Sequence, residues 1–252
     1  MRFSANLGFL WTNLALPDAI HAAREAGFDA VECHWPYDTP AQETREALEG
    51  TGLPMLGLNT SRGDTERGEN GLAALVGRER EARAAVEQAL GYAARVDAKM
   101  VHVMAGKAAG PAAEQAYLET LRFASDAAGE LGITVLIEPL NRHDAPGYFL
   151  RTTDQAVDII DTLDRPNIRL MFDCYHVART EGDVTTRLRN LVGHIGHIQV
   201  ASVPDRGPPG HGELDYRHVF RTLDELGWDA PIGAEFRMAG GGGIRCADLQ
   251  PG

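Results

Sequence analysis

The sequence predicts an α/β protein of the (β/α)8 (TIM) barrel class, and three observations carry the prediction. Strand-like and helix-like segments alternate from end to end, giving eight β segments and seven clear helices. The β segments are nearly continuous apolar runs, as expected of a parallel sheet whose faces are covered by helices. The length, 252 residues, suits one such barrel, and eight repeating units favour closure over an open doubly wound sheet. No GxGxxG follows the first strand to support that open alternative. No linker or composition shift divides the chain, so residues 1–252 read as a single barrel domain.

The elements follow in order. RFSANLGFL is the first strand, and LPDAIHAAREAG is the first helix, with Gly27 as its stop signal. DAVECHW is the second strand, and PAQETREALEGTG is the second helix, opened near Pro40. MLGLNT, the third strand, leads into the long polar loop SRGDTERGENGLAAL and then the helix GREREARAAVEQALGYAARVDA. The fourth strand MVHVMAG pairs with the helix AAEQAYLETLRFASDAAGELG, and the fifth strand TVLIEPL with TTDQAVDIIDTLD. IRLMFDCYH is the sixth strand, followed by the helix GDVTTRLRNLVGHI; HIQVA is the seventh, followed by DYRHVFRTLDELGW. PIGAEFR is the eighth strand, and the tail AGGGGIRCADLQPG stands where an eighth helix belongs. Four consecutive glycines oppose a helix there, so the eighth helix is expected to be short or absent and residues 239–252 irregular.

Composition narrows the function. The formal net charge is -12 with no Lys/Arg-rich block, which argues against a nucleic-acid or anionic-membrane partner. A small anionic substrate remains compatible, because one or two local arginines hold a carboxylate. The three cysteines, Cys33, Cys174 and Cys246, form no CxxC and no zinc-finger pattern, which favours a reducing compartment. The N-terminus lacks the apolar core of a signal peptide and no run is long enough to span a bilayer, so a cytoplasmic protein is expected.

In a barrel of this kind the chemistry sits at the C-terminal ends of the strands. There the last four strands carry Glu138 (LIEPL), Asp173 (MFDCYH), Gln199 (HIQVA) and Glu235 (GAEFR), each interrupting an apolar run. A buried charge is costly unless it is paired or bound to a cation. Any one of these residues would fit an ordinary salt bridge. Four on consecutive strands form a ring of oxygen donors suited to one hard divalent cation, Mg²⁺ or Mn²⁺.

The segments IEPLNRHDAPGYFL, MFDCYHV, GHIQVASVPDR and GHGELDY resemble the hydroxypyruvate isomerase family, a group within the xylose-isomerase-like barrels. FSANLGFLW, GFDAVECHWPYD and VHVMAG extend the resemblance across nearly the whole chain, to Arg237. The resemblance implies that Glu138, Asp173, Gln199 and Glu235 are the metal ligands. It further implies that Glu138 and Glu235 are the catalytic acid/base pair, interconverting hydroxypyruvate and tartronate semialdehyde through an enediolate. It places His176, Arg206 and Asp144 as substrate contacts, against the plainer readings of a loop-capping histidine, a solvated loop arginine and a loop-capping aspartate. The chain departs from the family at Asn70, where an arginine is expected, with Arg62 or Arg67 as substitutes, and in its Gly-rich tail.

Competing readings use the same barrel. A 2-oxo-tetronate isomerase or a ketose 3-epimerase would share the metal and both glutamates, and differ in pocket size. An aldolase would need Lys107, after the fourth strand, as a Schiff base. A repair endonuclease would need a histidine-rich zinc cluster and a basic surface, and a non-catalytic binder would need no paired glutamates. His102 points into the barrel mouth or is a satisfied core residue, with the core reading preferred, and Phe9, Trp11 and Trp35 read as pocket wall or core packing in equal measure. The expected partner is a small hydroxy-keto acid, with homo-oligomer formation left open.

Overall fold

The structure, a computed structural model, describes residues 1–249. Eight parallel strands form its centre: β1 (Phe3–Asn6), β2 (Ala30–Glu32), β3 (Gly57–Asn59), β4 (Met100–His102), β5 (Thr134–Ile137), β6 (Ile168–Asp173), β7 (Ile195–Val200) and β8 (Ile232–Ala234). They follow the order β2-β1-β8-β7-β6-β5-β4-β3. The remaining gap, between β2 and β3, is bridged by backbone bonds from Leu56 to Val31 (2.7 Å), Cys33 to Gly57 (3.1 Å) and Asn59 to His34 (2.8 Å). The sheet thus comes round on itself as the expected barrel.

Helices cover the outside: α1 (Leu16–Glu25), α2 (Ala41–Thr51), α3 (Glu79–Val96), α4 (Pro111–Glu130) and α5 (Thr153–Leu163) each follow a strand. Their inner faces are rich in alanine, such as Ala85, Ala89 and Ala93 of α3, which lets the helices pack closely on the strands. After β6 the chain differs from the sequence expectation. CYHVART, whose first three residues read as strand, forms α6 (Cys174–Thr180), and α7 (Val184–Leu191) follows. The cause is local: the Asp173 carboxylate accepts the Tyr175 backbone N–H at 2.8 Å, an N-cap that starts a helix at once. The outer layer closes with α8 (Tyr216–Glu225), whose first turn is capped by Asp215.

No α-helix follows β8 among the described residues. The tail makes two short 3₁₀ turns, Ala239–Gly241 and Cys246–Leu249, in line with an absent eighth helix. It is not loose, however. Leu249 is fully buried, Ile244 and Cys246 pack on the core, and Gly243 lies so near Trp11 that a Cβ there would meet the indole at 2.0 Å. Glycine permits that approach, so the composition that prevents a helix also lets the tail dock.

Candidate functional site

The mouth of the barrel is built by residues at the C-terminal ends of the strands. Glu138 follows β5, Asp173 ends β6, Gln199 lies beside Asp173 in the β6–β7 register, and Glu235 follows β8. All four are buried. Glu138, Asp173, Glu235 and His176 each present a potential ligand atom, and these atoms lie within 4.8 Å of one another, a cluster that could hold a metal ion. Glu138 Oε1 and Gln199 Oε1 are buried without any hydrogen-bond partner. Unpartnered buried oxygens are costly, and an oxygen-ligated cation would satisfy both. The donor chemistry therefore fits a hard divalent ion.

The charges show the same demand. Burial, reinforced by Glu235 and Asp173, pushes the Glu138 carboxyl well above the usual carboxylate range. Burial raises Asp173 to about 8, against the downward pull of Arg206. Burial would raise Glu235 as well, but Arg206 and His34 outweigh it and hold that carboxyl low. Arg206, on the loop after β7, reaches Asp173 at 3.4 Å and forms a close ion pair with Glu235. Its guanidinium also lies over Phe9 and Tyr175. The loop that presents it is tied together: Ser202 Oγ donates to Asp205 at 2.5 Å and accepts from Gly207 N–H at 2.9 Å.

His176 belongs to this group in a defined tautomer. Its Nδ1 accepts the Asn141 backbone N–H at 3.0 Å, and a backbone amide can only donate. Burial first, then Arg206, lowers its pKa to about 3, so the ring is neutral with its proton on Nε2. That nitrogen, 3.6 Å from Asp173 and 3.8 Å from Glu138, is a donor facing the centre and not a free ligand lone pair. Asp144 sits higher, accepting from Tyr175 Oη at 2.7 Å and Asn141 Nδ2 at 3.0 Å, with Arg206 at 3.8 Å.

The cavity above the carboxylates measures about 190 Å³, and Phe9, Trp35, His176 and Arg206 are in its wall. Asn70 also lines it, at the position where an arginine was expected. Arg62 stacks on Trp35 at 3.8 Å, whereas Arg67 is turned to solvent beside Asp64. Lys107 is exposed, which removes the setting a Schiff-base lysine needs.

Sequence reasoning missed several members of the site. His34 follows β2, lines the mouth and places Nε2 at 3.0 Å from Glu235 Oε1. Gly8 makes this possible, since a Cβ there would lie 2.2 Å from His34 Nδ1. His102, for which the sequence favours the core over the mouth, is buried and lines the mouth, with Nδ1 3.6 Å from Glu138 and neither ring nitrogen partnered. Asn6 and Glu32 end β1 and β2, and Asn6 Nδ2 donates to Glu235 Oε1 at 3.0 Å. Arg237, two residues beyond Glu235, lines the rim. The signal that found the ring, a polar residue at an apolar strand's end, also applies to Asn6, Glu32 and His102.

Eight parallel strands with a carboxylate cluster buried in their C-terminal mouth define a barrel enzyme with a candidate metal centre. The chain belongs to the xylose isomerase-like TIM barrel family, which it matches over residues 20–245. Within it, the chain is 42% identical to a 2-oxo-tetronate isomerase of Cupriavidus necator, over 99% of this chain and 98% of that protein. It is 35% identical to the hydroxypyruvate isomerase of Escherichia coli K12, over 94% and 93%. A crystal structure of an AP endonuclease, family 2, from Brucella melitensis superposes with a TM-score of 0.91 at 38% identity, covering 95% of this chain and 94% of that one. The chain is an enzyme of the isomerase kind that the two sequence relatives represent.

Proposed function

We propose that the chain isomerises a short hydroxy-keto acid, hydroxypyruvate, to tartronate semialdehyde, with Glu138, Asp173, Gln199 and Glu235 holding one Mg²⁺ or Mn²⁺. The observation that carries this reading is the convergence of Glu138 and Glu235 from different strands on one buried point. Each would help hold the cation and would face a substrate carbon. When bound, the cation polarises the substrate's oxygens and stabilises the negative charge of an enediolate. Of the two glutamates, one removes a proton from the hydroxyl-bearing C3 and the other delivers a proton to C2, while the C3 hydroxyl gives up its proton and the C2 oxygen gains one. His176 donates from Nε2 to a substrate oxygen. Arg206 and Asp144 hold the carboxylate and hydroxyl ends, with Phe9 and Trp35 excluding water. A cavity of about 190 Å³ is smaller than the roughly 300–1,000 Å³ of drug-sized pockets, which suits a ligand of few carbons.

A second substrate, 2-oxo-tetronate, is favoured by the 42% identity to the Cupriavidus isomerase. It needs the same proton transfers and one more carbon of room. The endonuclease name of the Brucella structure finds no support in the site, whose cluster has three carboxylates and one histidine, in a chain of net charge -12. The test is proton NMR in D₂O with hydroxypyruvate and 2-oxo-tetronate, with Mg²⁺, Mn²⁺ or EDTA. Turnover should need the cation, and Glu138→Gln and Glu235→Gln should each lower it by at least ~10²–10⁴-fold. Full activity in EDTA, or near-wild-type turnover by both variants, would refute the mechanism.

A further inference from the structure

We propose that Glu32 is a positioning residue that turns the Gln199 side-chain amide so that its oxygen, and not its nitrogen, faces the cation site. The inference rests on the reading of Gln199 as a ligand. An amide ligates only through oxygen, and its two ends have nearly the same shape, so a glutamine ligand needs something to set its orientation.

Glu32 supplies it. Four donors converge on its carboxylate: Ser4 Oγ (2.8 Å) and His197 Nε2 (2.7 Å) on Oε2, and Asn6 Nδ2 (3.0 Å) and Gln199 Nε2 (2.7 Å) on Oε1. A carboxylate can only accept, so the end of Gln199 that meets it has to be the NH₂ group. The other end, Oε1, is buried and unpartnered. Reversing the amide would set two acceptors at hydrogen-bond distance and aim N–H groups at the ion.

The barrel makes room for this pair. On β8, Gly233 faces it, and a Cβ there would stand 2.7 Å from both Glu32 Oε1 and Gln199 Cγ. The same carboxylate also steadies a second proposed ligand. Asn6 Nδ2 bridges Glu32 Oε1 and Glu235 Oε1, and Asn6 Oδ1 accepts the Gly8 N–H at 2.9 Å, which fixes that amide as well. One acid on β2 thereby orients one ligand on β7 and steadies another just after β8, a role outer groups commonly play at metal centres.

The experiment is Mn²⁺ binding without substrate, read from the EPR signal of free Mn²⁺, on wild type, Glu32→Gln, Gln199→Ala and the exchanged pair Glu32→Gln/Gln199→Glu. Melting curves report folding. Glu32→Gln should bind Mn²⁺ ~10–100-fold more weakly. The exchanged pair should recover most of that loss. In it, the amide introduced on β2 can donate to the carboxylate introduced on β7, leaving that carboxylate's second oxygen for the ion. Wild-type affinity in Glu32→Gln, or an exchanged pair no better than Glu32→Gln alone, overturns the inference. If Glu32→Gln does not fold, the exchanged pair decides: a folded, Mn²⁺-binding pair supports the role, and anything else overturns it. Wild-type affinity in Gln199→Ala removes Gln199 from the ligand set, and this inference with it, while leaving the metal reading intact. A wild-type protein that binds no Mn²⁺ refutes both.

Discussion

Replacing Arg206 by methionine tests what balances the buried carboxylates when the cation is absent. The Arg206 side chain is 11% exposed, and the carboxylates it meets, Asp173 and Glu235, are 0% and 6% exposed. Solvent therefore screens these contacts little. Removing one partner of a buried pair costs about 3–5 kcal/mol, because the remaining charge loses its main counter-charge while staying out of water. For a chain of this size each kcal/mol moves Tm by roughly 2–4 °C, so Arg206→Met in EDTA should melt about 6–20 °C below wild type. Mn²⁺ should then narrow the gap, since an ion at about 100 times its Kd adds about 2.7 kcal/mol to the folded state and replaces the lost positive charge. Wild type, which must displace Arg206 from Glu235 to bind the ion, should gain less. Differential scanning fluorimetry of both proteins in EDTA and Mn²⁺ measures all four values. Equal melting in EDTA, or a deficit of the same size with and without Mn²⁺, would show that Arg206 is not the counter-ion of the metal-free site.

Other outcomes follow from the same geometry. Asp173 holds its proton up to about pH 8 when folded but gives it up near pH ~4 when unfolded. Metal-free stability should therefore be full below pH ~4 and fall as pH rises through about 8, with a flatter profile in Mn²⁺; melting curves across pH ~4–9 in EDTA that stay level would contradict it. Gly8→Ala should push the His34 ring off Glu235, because the new Cβ would lie 2.2 Å from Nδ1. Losing a hydrogen bond to a charged group, worth about 1.5–3 kcal/mol, should lower kcat/KM by roughly tenfold or more in steady-state assays. Leu249→Ala should cost about 2–5 kcal/mol in urea unfolding, since Leu249 is fully buried; a change under ~0.5 kcal/mol would mean that the tail is not docked. Lys107→Ala should leave turnover unchanged, and borohydride should trap no adduct at this exposed residue.

The barrel was legible because its evidence is periodic: apolar runs, helical spacing and glycine stops recur from unit to unit, and an error in one unit leaves the others standing. The sixth unit shows the limit. MFDCYH is apolar enough to read as strand throughout, but one Asp173 hydrogen bond converts its second half into helix. The site was legible where a charged residue broke an apolar strand, as at Glu138 and Glu235. Glu32 gave the same signal in DAVECHW, yet its partners, Ser4, Asn6, His197 and Gln199, lie on β1 and β7, and only the curl of the sheet through β1 and β8 brings β7 to β2. The docking of the tail was not legible. Glycines count against a helix in any sequence, but their value against Trp11 depends on a surface 232 positions away, counting from Gly243 to Trp11.

The contact between Asn6 and Glu235 spans 229 residues. During synthesis the first strand therefore waits for nearly the whole protein before its amide finds that partner. Until then the nascent chain has neither a closed wall nor its last carboxylate. Under the metal reading proposed above, the ligand set is accordingly complete only in a molecule whose two ends have met.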